Sequence, residues 1–380
     1  MLENKLILKK YSMLIALLVV FLGFSFLTNG ANLSANNISN IIMQYAYVLI
    51  LAIGMLLVIV TGNIDLSVGS IVGFTGAISG ILLVRNDVPI LIAIPIVLLV
   101  GTLIGMSQGF MIAYVGVPAF IATLSGMMIY RGLTMVVLGG ESLSPFPEKF
   151  NFIASGYIYP DIQIFGLNLL AFIAMIAAAL LISFFAVKRF RSSSKEFRPR
   201  VSTLVIESVI SLLCVEFILY NLASFKGITA PFVILLVLVC IYSFLMKNTI
   251  YGRQIYAVGG NYHAAEMSGI KNKKIVFWVY ANMGMLAAVS GILVAARLNA
   301  ATPSAGNMFE LDAIAACFIG GASATGGKGT IIGAIIGALI MGTLNNGMSI
   351  MGVSVDWQEA IKGLVLLIAV IVDVRQNKKS

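Results

Sequence analysis

The sequence predicts an all-α polytopic membrane protein with about 10–12 transmembrane helices and an inverted internal repeat. This prediction depends on composition, on the spacing of long apolar segments, and on two stretches that recur in the second half of the chain. Of the 380 residues, 60% are hydrophobic and only 10% are charged, and the mean hydropathy is +1.03. Soluble domains carry about 25% charged residues, so we expect a bilayer as the solvent of this chain.

Long apolar segments define the predicted spans, because a helix needs about 20 apolar residues to cross the hydrocarbon core. We predict spans at about 11–28, 41–60, 67–84, 89–114, 117–138, 165–187, 203–224, 229–247, 275–297, 312–326, 330–348 and 358–374. The tenth is short and rich in glycine, which indicates a broken or partly inserted helix. The chain, 1–380, is predicted to form a single transmembrane domain.

The basic residues indicate the orientation, because lysine and arginine concentrate in cytosolic loops. With the N-terminus inside, the outer loops receive only Arg85, Lys149 and Lys226. The inner side receives Lys5, Lys9, Lys10, Lys188, Arg189, Arg191, Lys195, Arg198, Arg200, Lys247, Arg253, Lys271, Lys273, Lys274, Lys328, Arg375, Lys378 and Lys379. Both termini are therefore predicted to be cytosolic, and the net charge of +9 needs no nucleic acid as a partner.

Two stretches of the first half recur in the second half. Asp65, Gly73 and Gly80 align without a gap with Asp312, Gly320 and Gly327, and GTLIGMS at 101–107 matches GTLNNGMS at 342–349 with one inserted residue. In the predicted topology the paired segments run in opposite directions. We therefore predict inverted repeats over about 41–138 and 275–374, an architecture whose transport pathway lies between the repeats.

Polar residues within the repeats are candidates for a pathway or for the repeat interface. They are Asp65, Ser67, Ser70, Asp312, Asn345 and Asn346. Acids within membrane segments are functional candidates, but Asp65 also precedes a predicted helix that it could cap. By position, neither Asp65 nor Asp312 needs to be deeply buried. The two asparagines either bond hydroxyl groups of a passing solute or bond between helices.

The loop 248–274 is the longest passage of the second half that cannot sit in a membrane. Gly259–Gly260–Asn261 is predicted to break the chain, and Tyr262 to Ser268 to form a short helix that ends at Gly269 as a C-terminal cap. A short helix on the cytosolic side suits docking of a soluble partner. The alternative is a solvated loop with one helical turn.

Enzyme chemistry and nucleotide binding have little support in the residues. GASATGGKG at 321–329 lacks the first glycine and the final Ser or Thr of a phosphate-binding loop. The only histidine is His263, in the predicted cytosolic loop, so an intramembrane Ser-His or metal site lacks its residues. The three cysteines show no metal-ligand spacing, and we predict neither a metal nor a cofactor in this chain.

Several motifs resemble the ribose/xylose group of bacterial ABC sugar importer permeases. They are Gly62-Asn63-Ile64-Asp65-Leu66-Ser67-Val68-Gly69-Ser70, Ala119 to Leu124, Arg131-Gly132, Glu310 to Ala316, Gly326 to Gly329, and the order G-G-N-x-x-A-A-x-x-S-G-I. The last motif resembles the coupling loop of these permeases and is carried by Gly259, Gly260, Asn261, Ala264, Ala265, Ser268, Gly269 and Ile270. His263 stands where the broader pattern of ABC permeases often has Glu. An added helix pair at about 188–247 resembles the longer, xylose-type members.

The resemblance implies a function and a set of partners. It implies the membrane subunit of a monosaccharide importer in the bacterial cytoplasmic membrane, with xylose favoured over ribose or galactose. A separate ABC ATPase would bind ATP and dock on the coupling loop 248–274. An extracytoplasmic sugar-binding protein would deliver the sugar, and a second permease chain would complete a homodimer. The alternative is an ion-coupled secondary transporter, which would need an ion site among acids within the membrane.

Overall fold

The structure, a computed structural model, describes residues 2–158, 162–164, 166–192 and 201–377. Within these ranges the helices are α1 (Leu2–Leu27), α2 (Ala35–Val60), α3 (Val68–Gly80), α4 (Ile90–Phe110), α5 (Ala119–Leu138), α6 (Glu148–Ser155), α7 (Leu169–Ser192), α8 (Val201–Ser224), α9 (Ala230–Asn248), α10 (Ile250–Gly260), α11 (Tyr262–Met267), α12 (Asn272–Leu298), α13 (Phe309–Ile319), α14 (Ile331–Ile350) and α15 (Val355–Asn377). A short antiparallel hairpin, β1 (Gln163–Ile164) and β2 (Leu167–Asn168), precedes α7. Lys195, Arg198, Arg200, Lys378 and Lys379 of the predicted cytosolic set lie outside the described residues.

The all-α polytopic prediction is confirmed. In the described ranges, nine helices are long and apolar enough to cross a membrane: Ala35–Val60, Val68–Arg85, Ile90–Val115, Ala119–Leu138, Leu169–Lys188, Leu204–Ser224, Ala230–Asn248, Asn272–Leu298 and Ile331–Ile350. Three predicted spans fall short of that standard for separate reasons. α1 contributes a shorter apolar stretch, Met13–Leu27, α13 has only 11 residues, and the first turns of α15 carry Asp356, Glu359 and Lys362.

Side-chain caps fix where several of these helices begin, because the first N–H groups of a helix have no partner within it. Ser34 accepts a hydrogen bond from Asn37 N before α2 (3.3 Å), and Thr229 accepts one from Phe232 N before α9 (3.4 Å). Thr330 accepts one from Gly333 N before α14 at 3.0 Å. Each cap stands just before the apolar run it starts.

The helices α2 and α12 lie at the centre of the bundle. α2 is 89% buried over its apolar window and α12 is 83% buried, whereas α7 is only 6% buried and lies at the edge. α2 packs against α12, α13 and α14, and α12 packs against α2, α3 and α4. Each central helix therefore packs against helices from the other half of the chain: α2 against α13 and α14, and α12 against α3 and α4.

Close backbone contact joins α4 to α12. A Cβ atom at Gly105 would lie 2.2 Å from the Tyr280 carbonyl oxygen, and one at Gly284 would lie 2.2 Å from the Gly101 carbonyl oxygen. Small residues at such spacing allow membrane helices to approach closely. At Gly105 and Gly284, packing rather than backbone conformation explains the glycine.

The N-terminal ends of the short helices α3 and α13 meet inside the bundle. Gly69 in the first turn of α3 lies against Gly306 and Glu310, where a Cβ atom would be 2.3 Å from the Gly306 carbonyl oxygen and 2.2 Å from Glu310 Oε2. Arg131 on α5 donates to the carbonyls of Ala305 (3.3 Å) and Gly306 (3.4 Å). The segment before α13 thus reaches into the bundle and is held there.

The first part of the connection between α5 and α7, residues 143–151, is packed against the helices. Phe146 and Phe150 stack at 4.9 Å and are buried, and Asn299 after α12 accepts hydrogen bonds from Phe146 N and Asn151 Nδ2, both at 2.8 Å. Leu143 pairs with Ala301 in an antiparallel bridge. The aromatic side chains of this loop therefore anchor it to the helices, and its charged residues Glu141, Glu148 and Lys149 remain exposed.

Candidate translocation and coupling sites

A cavity of about 310 Å³ lies between α2, α12, α14 and α15, and we call it the polar cavity. Its polar lining is Gln44, Tyr45, Tyr47, Arg297, Asn345, Ser349, Gln358 and Lys362, and its apolar lining is Met43, Leu293, Val294, Leu298 and Phe309. Tyr47 stacks on Phe309 with ring centroids 4.1 Å apart. Small-molecule sites begin at about 300 Å³, so the volume and the hydroxyl and amide groups suit a small polar solute.

The two neighbouring asparagines of α14 have different surroundings. Asn346 pairs with Asn37 of α2 through two hydrogen bonds, Asn37 Nδ2 to Asn346 Oδ1 at 2.9 Å and Asn346 Nδ2 to Asn37 Oδ1 at 3.0 Å. Asn345 lines the polar cavity, and its buried Oδ1 atom has no hydrogen-bond partner among the described residues. Asn346 therefore bonds between helices, and Asn345 is the residue available to a solute.

Asp312 forms a buried ion pair with Lys362. The Lys362 Nζ atom lies 3.1 Å from Asp312 Oδ1 and 3.3 Å from Oδ2, and the Asp312 side chain is only 4% exposed. The expectation that Asp312 need not be deeply buried is therefore wrong. Lys362 lines the polar cavity and also an adjoining cavity of about 70 Å³ that contains Asp312 and Glu359. The pair links α13 to α15 beside the polar cavity.

Asp65 is also buried, at 1% exposure, and it binds Ser67, the residue directly before α3. Its Oδ1 atom accepts hydrogen bonds from Ser67 N at 2.9 Å and from Ser67 Oγ at 2.6 Å, and Gln108 Nε2 of α4 donates to Ser67 Oγ at 2.9 Å. Ser70 Oγ is buried without a hydrogen-bond partner among the described residues. Asp65, Ser67 and Ser70 do not line the polar cavity, so the structure does not bring the predicted polar residues into one site.

The second candidate site is built on α10. Thr249 caps this helix by accepting from Gly252 N at 3.1 Å, and Ile255 and Val258 are buried against the bundle. Tyr256 donates its hydroxyl proton to the Gly329 carbonyl oxygen at 2.7 Å. Burial raises the pKa of the Tyr256 phenol, which keeps this donor protonated.

The predicted break at Gly259–Gly260–Asn261 falls on Asn261 alone, because α10 continues through both glycines to Gly260 and Asn261 is the non-helical residue before α11. The two glycines have different surroundings. A Cβ atom at Gly259 would lie 1.6 Å from the carbonyl oxygen of Val60, the last residue of α2, and 2.8 Å from Gly327 N. A Cβ atom at Gly260 would have nothing within 4 Å. Gly259 is therefore the point where α10 touches the end of α2.

The helix α11 has a cap at each end, and the C-terminal cap, Gly269, is the one that the sequence predicts. Asn261 Oδ1 accepts from Ala264 N at 3.0 Å, and after the helix Gly269 has φ +84° while Ile270 N donates to Ala265 O at 3.1 Å. A residue in this left-handed conformation with such a bond is the common glycine ending of a helix. Ser268 Oγ donates to Ala264 O at 2.8 Å and completes the last turn.

One face of α11 is buried and the other is free in this chain. Ala265 is only 4% exposed and packs into the hydrophobic core, so it is not part of the exposed face. Ala264 and His263 are exposed, and the Met267 side chain is 90% exposed. Asn272 Nδ2 donates to Tyr262 O at 2.7 Å and ties the start of α12 to the start of α11. The exposed face of α11 is open to contact from outside this chain.

Some residues that line the polar cavity, or that bond to the predicted site residues, carry no local sequence motif. Tyr45, Tyr47, Gln108 and Lys362 are separated along the chain from the residues they meet, and no local pattern marks them. Glu310 lies within a quoted motif, yet its place beside Gly69 depends on the meeting of α3 and α13. A search for isolated polar residues inside apolar segments would find Gln108 and Lys362 as candidates.

The bundle, the polar cavity and the capped loop helix together define a polytopic membrane permease. A family model described as branched-chain amino acid transport system / permease component matches residues 37–370, and the chain belongs to this family. The xylose transport system permease protein XylH of Haemophilus influenzae is 40% identical over 98% of both chains. XylH of Escherichia coli K12 is 37% identical over 98% of this chain and 93% of its own.

Ribose import permeases are also similar. RbsC of Escherichia coli K12 is 37% identical over 96% of this chain and 93% of its own length. RbsC of Haemophilus influenzae is 34% identical over 94% of this chain and 90% of its own. No solved structure matches the chain.

Proposed function

We propose that this chain is the permease subunit of a binding-protein-dependent ABC importer that moves a monosaccharide across the bacterial cytoplasmic membrane. A xylose-type sugar is favoured, since the XylH relatives match 98% of the chain at 37–40% identity. Ribose is the next candidate because the RbsC relatives also cover most of the chain. ATP hydrolysis belongs to a separate subunit in this proposal.

The exposed face of α11 is the proposed docking surface for the ATPase. It offers the small side chain of Ala264, the apolar side chain of Met267 and the polar imidazole of His263, on a helix held by caps at both ends. The positive-inside pattern of the sequence supports a cytosolic position for α11 and for both termini. The sugar-binding protein would then meet the opposite face, and a second permease chain would complete the membrane unit.

The contact between α10 and α2 is the observation that carries the proposal. Gly259 lies against Val60 at one end of α2, and Tyr45 and Tyr47 of the same helix line the polar cavity. About 20 Å of helix separates Tyr47 from Val60 at 1.5 Å per residue. A displacement of the coupling loop by ATP-driven closure would therefore reach the cavity wall through one rigid, buried element.

The inverted repeat is proposed on the packing of the two halves. α2 packs against α13 and α14, and α12 packs against α3 and α4, which is the exchange expected when two repeats of equivalent helices interlock. Within each half, a long helix is followed by a shorter one: α3 with its helical continuation to Arg85, 18 residues in all, and α13 with 11 residues. The proposed pathway follows the contact between the halves, where the polar cavity lies.

The energy source separates this function from an ion-coupled transporter. The complex of this chain with its ATPase would be purified, reconstituted in proteoliposomes with the binding protein, and assayed for labelled xylose uptake. Uptake is expected to require ATP on the ATPase side and to continue when ionophores dissipate proton and sodium gradients. Uptake that follows an ion gradient without ATP would establish the secondary transporter instead.

Ala264→Trp tests the docking surface. Ala264 is exposed on α11, so the indole should leave the fold intact and obstruct a helix that fits into a groove of the ATPase. We expect sugar uptake to fall at least tenfold, with normal membrane insertion and reduced copurification of the ATPase. The matched control is Asn248→Trp, an exposed position at the end of α9, which should retain uptake. Wild-type uptake by Ala264→Trp would remove the docking role of this face.

A further inference from the structure

A pocket of about 410 Å³ lies where α11, the start of α12 and the turn after α4 meet, and we call it the basic pocket. Its lining is Tyr114, Glu266, Gly269, Ile270, Lys271, Asn272, Lys273 and Lys274. None of these residues lines the polar cavity. The basic pocket is therefore a separate feature beside the coupling helix.

The charge of the basic pocket favours an anion. Lys271, Lys273 and Lys274 are exposed, and none of them forms an ion pair among the described residues. Glu266 is the one carboxylate in the lining, so three cations face one anion. The N-terminus of α12, a helix of 27 residues, adds the positive end of its dipole at the same place, although Asn272 N already donates to Ile270 O at 3.0 Å.

A buried amide oxygen in the lining of the basic pocket is a second observation, independent of the charge of the lysines. Asn272 lines the pocket and is only 2% exposed, and its Nδ2 atom donates to the Tyr262 carbonyl at 2.7 Å. This bond fixes the amide orientation, because a carbonyl oxygen accepts hydrogen bonds and needs the NH₂ group opposite it. The remaining atom, Oδ1, is buried without a partner among the described residues. A ligand that supplies a hydrogen-bond donor as well as negative charge would satisfy this oxygen.

Aromatic side chains beside the basic pocket indicate where it lies relative to the lipid headgroups. Tyr114 packs on Phe110 at 5.6 Å and on Phe277 at 5.9 Å, and Phe277 packs on Trp278 at 5.4 Å. Trp278 is 44% exposed on the surface of α12, one turn after Lys274. Tyrosine and tryptophan concentrate where the bilayer meets water, at the level of the lipid headgroups. These aromatic side chains are the kind expected around a pocket that opens at headgroup depth.

We propose that the basic pocket binds the headgroup of an anionic phospholipid that carries a free hydroxyl, with phosphatidylglycerol as the matching chemistry. The lysines contact the phosphate, and a headgroup hydroxyl donates to Asn272 Oδ1. Basic pockets between membrane helices on the cytosolic side recognise such headgroups. The leaflet is the inner one if α11 is cytosolic, as in the proposed function. A lipid bound there touches Gly269 and Ile270, where the coupling helix ends.

Quenching of a single tryptophan by brominated lipids tests the proposal. The chain has two tryptophans, so Trp357→Phe leaves Trp278 beside the pocket. The purified full-length variant is reconstituted in phosphatidylcholine vesicles with small amounts of brominated phosphatidylglycerol or brominated phosphatidylcholine. We expect stronger quenching by phosphatidylglycerol. Lys273→Gln with Lys274→Gln should lower that preference by about fivefold per lysine. Lys247→Gln, an exposed basic residue at the end of α9, is the control and should retain the preference.

Four results of this assay would overturn the proposal or part of it. Equal quenching by the two lipids, or an unchanged preference in the double lysine variant, would overturn the proposal. Brominated phosphatidylmethanol, a phosphodiester with the same single negative charge but no headgroup hydroxyl, should quench less than phosphatidylglycerol, and equal or stronger quenching would overturn the contact with Asn272. Millimolar inorganic phosphate should not relieve the quenching, since relief would indicate a soluble anion. The assay contains neither ATPase nor sugar, so its result is independent of the transport function.

Discussion

Gly259→Ala is expected to abolish sugar uptake and destabilise the protein, whereas Gly260→Ala is expected to do neither. The new Cβ at position 259 would lie 1.6 Å from the Val60 carbonyl oxygen and 2.7 Å from its carbonyl carbon, so backbone must move. Overpacking of this kind costs about 1–3 kcal/mol or more. At position 260 nothing lies within 4 Å, and alanine gains about 1 kcal/mol of helix propensity over glycine.

The two neighbouring variants form a matched pair in one helix. Purified proteins would be compared by thermal unfolding in detergent, and cells would be compared for labelled xylose uptake at equal membrane expression. If movement of α10 is transmitted to α2 through the contact at Gly259, Gly259→Ala loses uptake and Gly260→Ala retains it. Similar uptake by both variants would show that the contact between α10 and Val60 has no part in transport.

Lys362→Met is the second change for which we expect a large effect. It leaves Asp312 with an unpaired charge in a site that exposes only 4% of its side chain, and loss of one partner from a buried ion pair costs about 3–5 kcal/mol. We expect a clear fall in melting temperature and in the amount of folded protein in the membrane. Lys149→Met, at an exposed position in the first turn of α6, is the control and should have little effect.

The double variant Lys362→Met with Asp312→Asn separates stability from transport. It removes both charges, so the melting temperature should return most of the way to that of the unaltered protein. If uptake also returns, the ion pair has a structural role only. Recovery of stability without recovery of uptake would place the pair in the pathway beside the polar cavity. A double variant no more stable than Lys362→Met would refute the pairing as the source of the effect.

The spans and the coupling helix could be predicted because their causes are local. Apolar runs of about 20 residues are visible in one stretch of chain, and a membrane helix satisfies its own backbone groups. The caps of α11, Asn261 and Gly269, act within a few residues of the helix they bound. The predicted end at Ser268 differs from the observed end at Met267 by one residue, within the usual variation of helix boundaries.

The packing around these elements could not be predicted, because it depends on residues far apart in the chain. Asp312 and Lys362 are 50 residues apart, and no local pattern marks them as partners. Ala264 and Ala265 are identical in chemistry, yet one is exposed and the other is buried. Two glycines in succession suggest a helix break, but contact with α2 and Gly327 keeps α10 helical through them. Tertiary packing here overrides intrinsic propensity.

The meeting of α3 and α13 has an electrostatic consequence. Each helix N-terminus carries roughly half a positive elementary charge from its aligned peptide dipoles, so two such ends brought together repel each other. The carboxyl groups of Asp65, Glu310 and Asp312 lie within the first turns of these helices or just before them. Negative charge at this junction offsets the two dipoles. Acids can therefore be retained at the junction of the two halves even when the transported solute is neutral.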